Sequence, residues 1–502
     1  MREFVLFWIL LLLVDPLSPV LCFAQNTQPA KRFHVESGKT TTPIKHIVVI
    51  FDENNSFDHY FGTYPNAANP PGEPAFHPLP DTPTVNGFTD ALINANPNAA
   101  APFRLDRAQA STCDNDNHYT DEQKAYDGGL IDKVAELLSG TGAGCTPNLA
   151  MGYYDGNTVT ALWNYAQRYA MSDNFFASTF GTTVMGHLNL LSGQTHGAVP
   201  AAVSGKVANG SVIANVNPTL DDCSTGTVVT MTGKNIGDLL NAEGVTWGWF
   251  YQDWKPASIS GGKAQCTGTY NPHYAPFQYY AATANPHHLP PGSVGSIGLT
   301  DQANHQYAIS DFWNALANGN LPAVSFLKTG TTQTGHPADS TPLEEQTFLV
   351  NTINRLQESP YWENMAILIT YDDSDGWYDH VLGPIVSPSN DPNNDDLLGT
   401  SGMCGTPKAG AYLDRCGYGP RLPFLVISPF AKKNFVAHSA ADQSSITRFI
   451  EDNSKLGRIG DQSFDAIAGS ILNLFDFDDR GDDRGPSGKL ILNPDTGEPV
   501  ER

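Results

Sequence analysis

Runs of consecutive apolar residues are the feature that most restricts how this chain can fold. Strong runs cover residues 47–51, 366–370 and 424–428, and a weaker one covers 323–326. A strand formed by such a run is buried on both faces, which is typical of a parallel sheet covered by helices. Helical patterns lie between the runs, at 159–169, 309–316, 344–357 and 444–452. This alternation predicts an α/β sandwich with a mostly parallel central sheet.

Two long segments, 63–112 and 200–300, are rich in proline, asparagine, glycine and alanine. Irregular segments of this length in a compact protein usually build a site or a lid. We therefore expect these segments to form a cap over the sheet. Residues 477–502, which contain several aspartates and arginines, are predicted to be a charged surface tail.

The N-terminal segment reads as an export signal. Arg2 precedes an apolar run over residues 4–14, and Ala24 provides a small residue for cleavage. The alternative is a membrane anchor, but the run is about half the length needed to span a bilayer. We predict a signal peptide over 1–24, a flexible lead-in over 25–42, and a mature protein that is secreted or periplasmic without a transmembrane anchor.

Six cysteines remain once Cys22 leaves with the signal, and an even number in an exported chain suggests disulfides. Short loops close at a lower entropic cost, so neighbouring cysteines are the favoured partners. The predicted pairs are Cys113 with Cys145, Cys223 with Cys266, and Cys404 with Cys416. Free buried thiols remain the alternative.

The charge balance argues against nucleic acid as a partner. The chain has 28 basic and 52 acidic residues, a formal net charge of -24. This charge repels nucleic acid and anionic membrane surfaces unless the site itself is locally positive. A bound cation would provide that local positive charge.

Polar residues follow two of the predicted strands. Glu53 and Asn54 come after the first strand, and Asp372 and Asp373 come after the strand at 366–370. Ligands of open α/β sheets gather at the carboxyl ends of strands, and carboxylate and amide oxygens suit a hard cation. Gly376 permits the turn that lets adjacent aspartates share one ligand. The alternatives are a solvated polar turn and an acidic surface loop.

A third segment places a hydroxyl at the start of a helix. Gly181 and Thr182 precede Thr183, and an apolar helical run follows. Backbone N–H groups at a helix N-terminus favour an anion, although an ordinary threonine cap has the same pattern.

Loop histidines are weaker candidates, because a single histidine is more often structural than a ligand. They are His118, His273, His287, His288 and His336.

These segments resemble a bacterial phosphoesterase family that includes phospholipases C and an acid phosphatase branch, built on an alkaline-phosphatase-like core. The family's Glu-Asn-x-Ser-Phe-Asp-x-Tyr-Phe-Gly motif is complete at 53–62, and its Tyr-Asp-Asp-x-x-Gly-x-x-Asp-His motif is complete at 371–380. The resemblance covers residues 43–476, which we therefore expect to be one phosphoesterase domain.

The resemblance implies a role for each of these residues. Thr183 is the implied nucleophile and joins Glu53, Asn54, Asp372 and Asp373 around a divalent metal ion of unknown identity. The phosphate-contacting histidines map to His118, His273 and His336. The chain departs from the family at Thr182, where proline is usual, and at Tyr274, where a second histidine often follows.

The resemblance implies a secreted phospholipase C type phosphodiesterase that forms a phosphothreonine intermediate, with a phosphate ester or a phospholipid head group as substrate. One alternative is an acid phosphatase acting on phosphomonoesters. An alternative of another class is an exported binding protein that keeps the fold without catalysis.

Overall fold

A computed structural model describes Met1 and residues 40–142, 145–399, 402–478 and 488–500. The predicted signal peptide, most of the lead-in and part of the tail lie outside the described residues. Among the described residues, no helix is both long and apolar enough to cross a membrane.

An eight-stranded sheet forms the centre of the molecule. Its strands in chain order are β1 (His46–Asp52), β2 (Ala170–Ser172), β3 (Trp247–Tyr251), β4 (Gln306–Ala308), β5 (Val324–Lys328), β6 (Met365–Tyr371), β7 (Phe424–Ile427) and β8 (Phe435–Ala437). They lie side by side in the order β4-β3-β5-β1-β6-β7-β2-β8. Neighbours are parallel except on both sides of β7, which runs antiparallel to β6 and β2. The mostly parallel sheet is confirmed, and the predicted apolar runs form β1, β5, β6 and β7.

Ten α-helices in the described part of the chain accompany the sheet. They are α1 (Phe57–Phe61), α2 (Asp90–Asn94), α3 (Tyr119–Tyr126), α4 (Val134–Leu137), α5 (Thr160–Arg168), α6 (Thr183–Ser192), α7 (Ile236–Ala242), α8 (Ile309–Asn318), α9 (Pro342–Glu358) and α10 (Gln443–Ser454) among the described residues. The sequence marks the start of α9 clearly, because Thr341 and Glu344 form a reciprocal capping box and Pro342 occupies the first turn.

Helices cover both faces of the sheet. Phe51 of β1 packs edge-on against His187 of α6, with ring centroids 5.0 Å apart. The next residue, Asp52, pairs in register with Tyr371, whose hydroxyl donates to Glu345 of α9. Consecutive strand side chains point to opposite faces, so α6 and α9 lie on opposite sides of the sheet. The predicted sandwich is therefore confirmed.

Shorter strands occur mainly in the connecting segments. They are Phe103–Arg104, Gly152–Tyr153, Phe175–Phe176, Ala198–Val199, Val207–Ala208, Ser211–Val212, Asn217–Pro218, Val228–Met231, Ser258–Ser260, Lys263–Gln265 and Ala441–Asp442. The segment 200–300 also contributes β3 to the main sheet. The disulfides pair Cys113 with Cys145, Cys223 with Cys266, and Cys404 with Cys416, as the sequence order favoured.

Part of the C-terminal segment packs against the body of the protein. Leu492 is 1% exposed and belongs to the main hydrophobic core. Asn354 of α9 donates a hydrogen bond to the Leu492 carbonyl at 2.8 Å. Residues 488–500 are thus held against α9 by apolar burial and backbone hydrogen bonds.

Candidate active site

The two acidic segments meet at the carboxyl ends of β1 and β6. These strands are paired in register up to Asp52 and Tyr371, so the residues that follow them emerge side by side. The backbone N–H of Asn54 donates to Asp372 Oδ1 at 2.9 Å, and that of Asp372 donates to the Asp52 carbonyl at 3.2 Å. Asn54 has φ 62°, a left-handed conformation that asparagine tolerates better than most residues.

The four predicted metal ligands form one buried cluster, which we call the acidic cluster: Glu53, Asn54, Asp372 and Asp373. Each is at most 1% exposed. One oxygen of each is buried without a hydrogen-bond partner among the described residues: Glu53 Oε2, Asn54 Oδ1, Asp372 Oδ2 and Asp373 Oδ2. Buried polar atoms are nearly always hydrogen-bonded, so these orphaned oxygens fit a hard cation. Ligand atoms of Glu53, Asp372 and His187 lie within 4.8 Å of one another, a group that does not include Asp373.

The hydrogen bonds of the Asn54 amide leave its oxygen free. Its side-chain Nδ2 donates to Asp375 Oδ1 at 2.8 Å and lies 3.2 Å from His336 Nε2. Both amide hydrogens of Asn54 are therefore used, and its Oδ1 is left free to donate a lone pair to a cation.

Burial controls the titration of the cluster. Burial raises the pKa of Asp372 well above its usual value, and the Glu53 carboxylate raises it further. Burial likewise raises the pKa of Asp373, and Asp372 adds to that effect. The pKa of Glu53 rises to about 7, because burial outweighs the opposing Lys328 ammonium. Crowded buried carboxylates favour the neutral form unless a cation compensates them.

Helix α6 brings Thr183 to this cluster. Gly181 has φ 113°, which sets the bend before the helix, and Thr182 is the N-cap. In the first turn, a Cβ on Gly186 would lie 2.0 Å from the Asp372 carbonyl oxygen. The helix therefore packs directly on the backbone of Asp372, and Thr183, which is 3% exposed, lies in the turn at that contact.

Two of the three predicted histidines lie on the inner side of the site. His336 Nδ1 donates to the Pro337 carbonyl at 2.6 Å, so its Nε2 accepts from Asn54. Asn271 Nδ2 donates to His273 Nε2 at 2.9 Å, which leaves the proton of neutral His273 on Nδ1. Burial lowers the pKa of His273 to about 3, and His336 lowers it further, so His273 is neutral at ordinary pH.

His118 lies at the exposed rim instead. Its side chain is 64% exposed, and Nδ1 is 2.5 Å from Asp116 Oδ1. The hydrogen bond to Asp116 raises the pKa of His118. The preceding residue, Asn117, donates to Asp373 Oδ1 at 2.9 Å, which links this rim to the acidic cluster.

His187 is a buried residue of the site that the sequence analysis does not single out. It lies one helical turn after Thr183, and its Nδ1 donates to the Thr183 carbonyl at 2.8 Å. Nδ1 is also 3.9 Å from Asp372 Oδ2, while Nε2 is buried without a partner among the described residues. The i, i+4 spacing from Thr183 is the sequence signal that could have identified it.

Glu122 of α3 joins the bend at Gly181 to the acidic segment at Ser374. Its Oε2 accepts from the Gly181 N–H at 2.8 Å, and its Oε1 accepts from Ser374 Oγ at 2.6 Å. The carboxyl is 1% exposed, and burial raises its pKa well above the usual value. We call this bridge the Glu122 clamp. No local sequence pattern reveals it, because its partners are distant along the chain.

Two further residues enclose the site. Lys328, at the end of β5, is fully buried and forms an ion pair with Glu53. Tyr274, the departure from the family pattern, stacks on His187 with an interplanar angle of 10° and centroids 6.0 Å apart. A lysine that ends an apolar strand is the only local signal for Lys328.

Comparison with known proteins identifies relatives over most of the chain. A family model described as the phosphoesterase family matches residues 44–457. Phospholipase C A of Mycobacterium tuberculosis is 25% identical over 87% of this chain and 78% of its own length. Non-hemolytic phospholipase C of Pseudomonas aeruginosa is 26% identical over 86% of this chain and 57% of its own length. Non-specific phospholipase C6 of Arabidopsis thaliana is 24% identical over 84% of this chain and 67% of its own length.

Solved structures give more distant matches. An alkaline phosphatase superfamily protein from Vibrio parahaemolyticus matches with a TM-score of 0.30 and 13% identity, over 59% of this chain and 60% of that protein. Murine ectonucleotide pyrophosphatase/phosphodiesterase 5 matches with a TM-score of 0.33 and 13% identity, over 63% of this chain and 94% of that protein.

Proposed function

The chain belongs to the phosphoesterase family and is a hydrolase of phosphoric esters, and from that premise we propose that it is a phospholipase C type phosphodiesterase with Thr183 as its nucleophile. The curated relatives named above are all phospholipases C. The observation that carries the proposal is the contact of Gly186 with Asp372, which holds the first turn of α6 against the acidic cluster.

Glu53, Asn54, Asp372 and Asp373, together with the Thr183 hydroxyl, would hold a divalent cation. When bound, such an ion lowers the pKa of a coordinated hydroxyl and neutralises charge on the phosphoryl oxygens. The orphaned oxygens of the four acidic-cluster residues support this assignment.

Thr183 then acts on the phosphorus atom. Its Oγ1 forms a bond to phosphorus while the bond from phosphorus to the alcohol oxygen breaks, and the phosphoryl group is carried on threonine. Water attacks this phosphothreonine ester and returns the free hydroxyl. The positive end of the α6 dipole favours the negative charge of the transferred group.

His118 is the proposed general acid for the leaving alcohol. Among the three family histidines, its hydrogen bond to Asp116 raises its pKa and keeps it protonated over a wider pH range. His273 is neutral because burial lowers its pKa to about 3, and the Nδ1 proton of His336 is held by a carbonyl. We assign these two to positioning of the phosphate and of Asn54.

We also propose that the protein acts outside the cytoplasm. The three disulfides support this proposal, since disulfides persist mainly in oxidising compartments. The N-terminal export pattern in the sequence is the second support.

A substrate panel tests the proposed function. It compares phosphatidylcholine, a chromogenic phosphodiester and a chromogenic phosphomonoester, each with and without a chelator. We expect the two diesters to be hydrolysed faster than the monoester, and the chelator to abolish both activities. Preference for the monoester would indicate an acid phosphatase, and no hydrolysis at all would indicate a binding protein.

The same assay tests the nucleophile through threonine variants. Thr183→Val keeps the side-chain shape and removes the oxygen, so we expect the hydrolysis rate to fall by about three orders of magnitude or more. Thr182→Val is the matched control, because proline, which has no hydroxyl, is usual at this position in the family that the chain resembles. An inactive Thr182→Val with an active Thr183→Val would assign the nucleophile to Thr182.

A further inference from the structure

Lys328 is a fully buried cation beside the acidic cluster. It ends β5, the neighbour of β1, and its side chain is 0% exposed. Burying an ammonium group is costly unless it is paired and hydrogen-bonded. Its contacts therefore indicate what it does for the site.

All three hydrogens of the Lys328 ammonium have acceptors. One is the Glu53 carboxylate Oε1, and a second is the Phe51 carbonyl at 3.1 Å. The third acceptor is the face of the Tyr274 ring, whose centroid is 4.5 Å from Nζ. Lys328 has no donor left for a substrate phosphate, so its function is exerted on its protein neighbours.

The ion pair occupies one of the two carboxylate oxygens of Glu53. Oε1 is held by Lys328, whereas Oε2 is buried without a partner among the described residues. Glu53 can therefore offer one oxygen to a cation without giving up the ion pair. Tyr274 covers the ammonium with its ring face.

We propose that Lys328, covered by Tyr274, is a positioning residue that holds Glu53 as a one-oxygen ligand and so makes the site select against Ca²⁺ relative to Mg²⁺. This inference rests on the metal site of the proposed function. Ca²⁺ takes six to eight oxygens and often binds a carboxylate through both, whereas Mg²⁺ takes six ligands and binds carboxylates through one oxygen. A carboxylate locked to one oxygen therefore costs Ca²⁺ a ligand and costs Mg²⁺ none.

The two ions carry the same charge, which separates this effect from general electrostatics. Removing the lysine charge raises the affinity for both ions, because repulsion is lost equally. Only the freed second oxygen of Glu53 distinguishes them. A merely structural loss would weaken the binding of both ions without changing their ratio.

The test is calorimetric titration of the chelator-treated full chain with Mg²⁺ and with Ca²⁺, and the readout is the Kd for Ca²⁺ divided by the Kd for Mg²⁺. We expect Lys328→Met to lower this ratio about tenfold or more. Tyr274→Phe is the matched control, since it keeps the ring face, and its ratio should equal that of the wild type. An unchanged ratio in a Lys328→Met protein that still binds both ions would overturn the inference.

A crystal structure of the wild type with Mg²⁺ or Ca²⁺ provides a test that needs no variant. We expect one Glu53 oxygen on the ion and the other on Lys328. Glu53 bound through both oxygens would overturn the inference and leave the proposed function standing. No divalent ion bound in titration or crystal would overturn the metal site itself.

Discussion

Gly186 is a position at which the site cannot accept a side chain. A Cβ at this position would meet the Asp372 carbonyl at 2.0 Å, and a backbone atom cannot move aside as a flexible side chain would. Alanine otherwise favours a helix by up to about 1 kcal/mol relative to glycine. We expect Gly186→Ala to destabilise the protein by about 1–3 kcal/mol and to lower kcat at least about tenfold, measured by denaturant unfolding and steady-state kinetics.

Gly268 provides the control for that substitution, because a Cβ there would have no neighbour within 4 Å. Gly268→Ala should leave both stability and kcat unchanged. Full activity in Gly186→Ala would show that α6 need not rest on Asp372, and the placement of Thr183 would have to be revised.

Asp116 sets the titration of His118 at the rim. Its carboxylate raises the pKa of His118, so a general acid at this position loses its proton only as the pH rises through that raised value. We expect Asp116→Asn to lower the pKa of His118 and so to move the alkaline limb of the kcat/KM profile to lower pH. The amide oxygen can still accept the His118 backbone N–H that Asp116 Oδ1 now accepts at 2.9 Å.

Asp121 serves as the comparison, because it lies near His118 but is hydrogen-bonded to Lys124 at 3.0 Å. Asp121→Asn should shift the same limb much less. Equal profiles for the Asp116→Asn variant and the wild type would remove His118 from the role of general acid.

Among the elements, α3 holds the bend at Gly181 and the acidic segment at Ser374 together through the Glu122 clamp. We expect Glu122→Ala to lower kcat about ten- to a hundredfold with little change in KM, since the reacting groups lose alignment rather than substrate binding. Glu122→Gln should retain most activity, because its Oε1 can accept from the Gly181 N–H while Nε2 donates to Ser374 Oγ. Loss of activity in both variants by the same factor would point to a role for the carboxylate charge instead.

The sequence predicts some elements better than others for physical reasons. Continuous apolar runs predict β1, β5, β6 and β7, because both faces of these strands are buried. The three-residue strands β2, β4 and β8 are too short to show a period. The antiparallel direction of β7 also leaves no mark in the sequence, since burial on both faces looks the same in either direction.

At the scale of the whole molecule, the acidic cluster can be anticipated because its four residues directly follow strands that pair in register. Lys328, His187 and Glu122 could not be anticipated, because each acts through a contact made only in the folded chain. The bond from Lys328 to Glu53, for example, joins residues 275 positions apart. Motifs therefore predict the candidate ligands of the site, whereas the residues that contact those candidates can be identified only from the tertiary structure.

The central claim is that a phosphoryl group is carried on Thr183 during hydrolysis. The most direct measurement mixes the wild type with a chromogenic phosphodiester, quenches with acid within the first turnovers, and maps modified peptides by mass spectrometry. We expect a substrate-derived phosphoryl adduct on Thr183 that is absent from the Thr183→Val protein, together with a burst of alcohol release. An adduct on another residue, or active hydrolysis in the Thr183→Val protein, would contradict it.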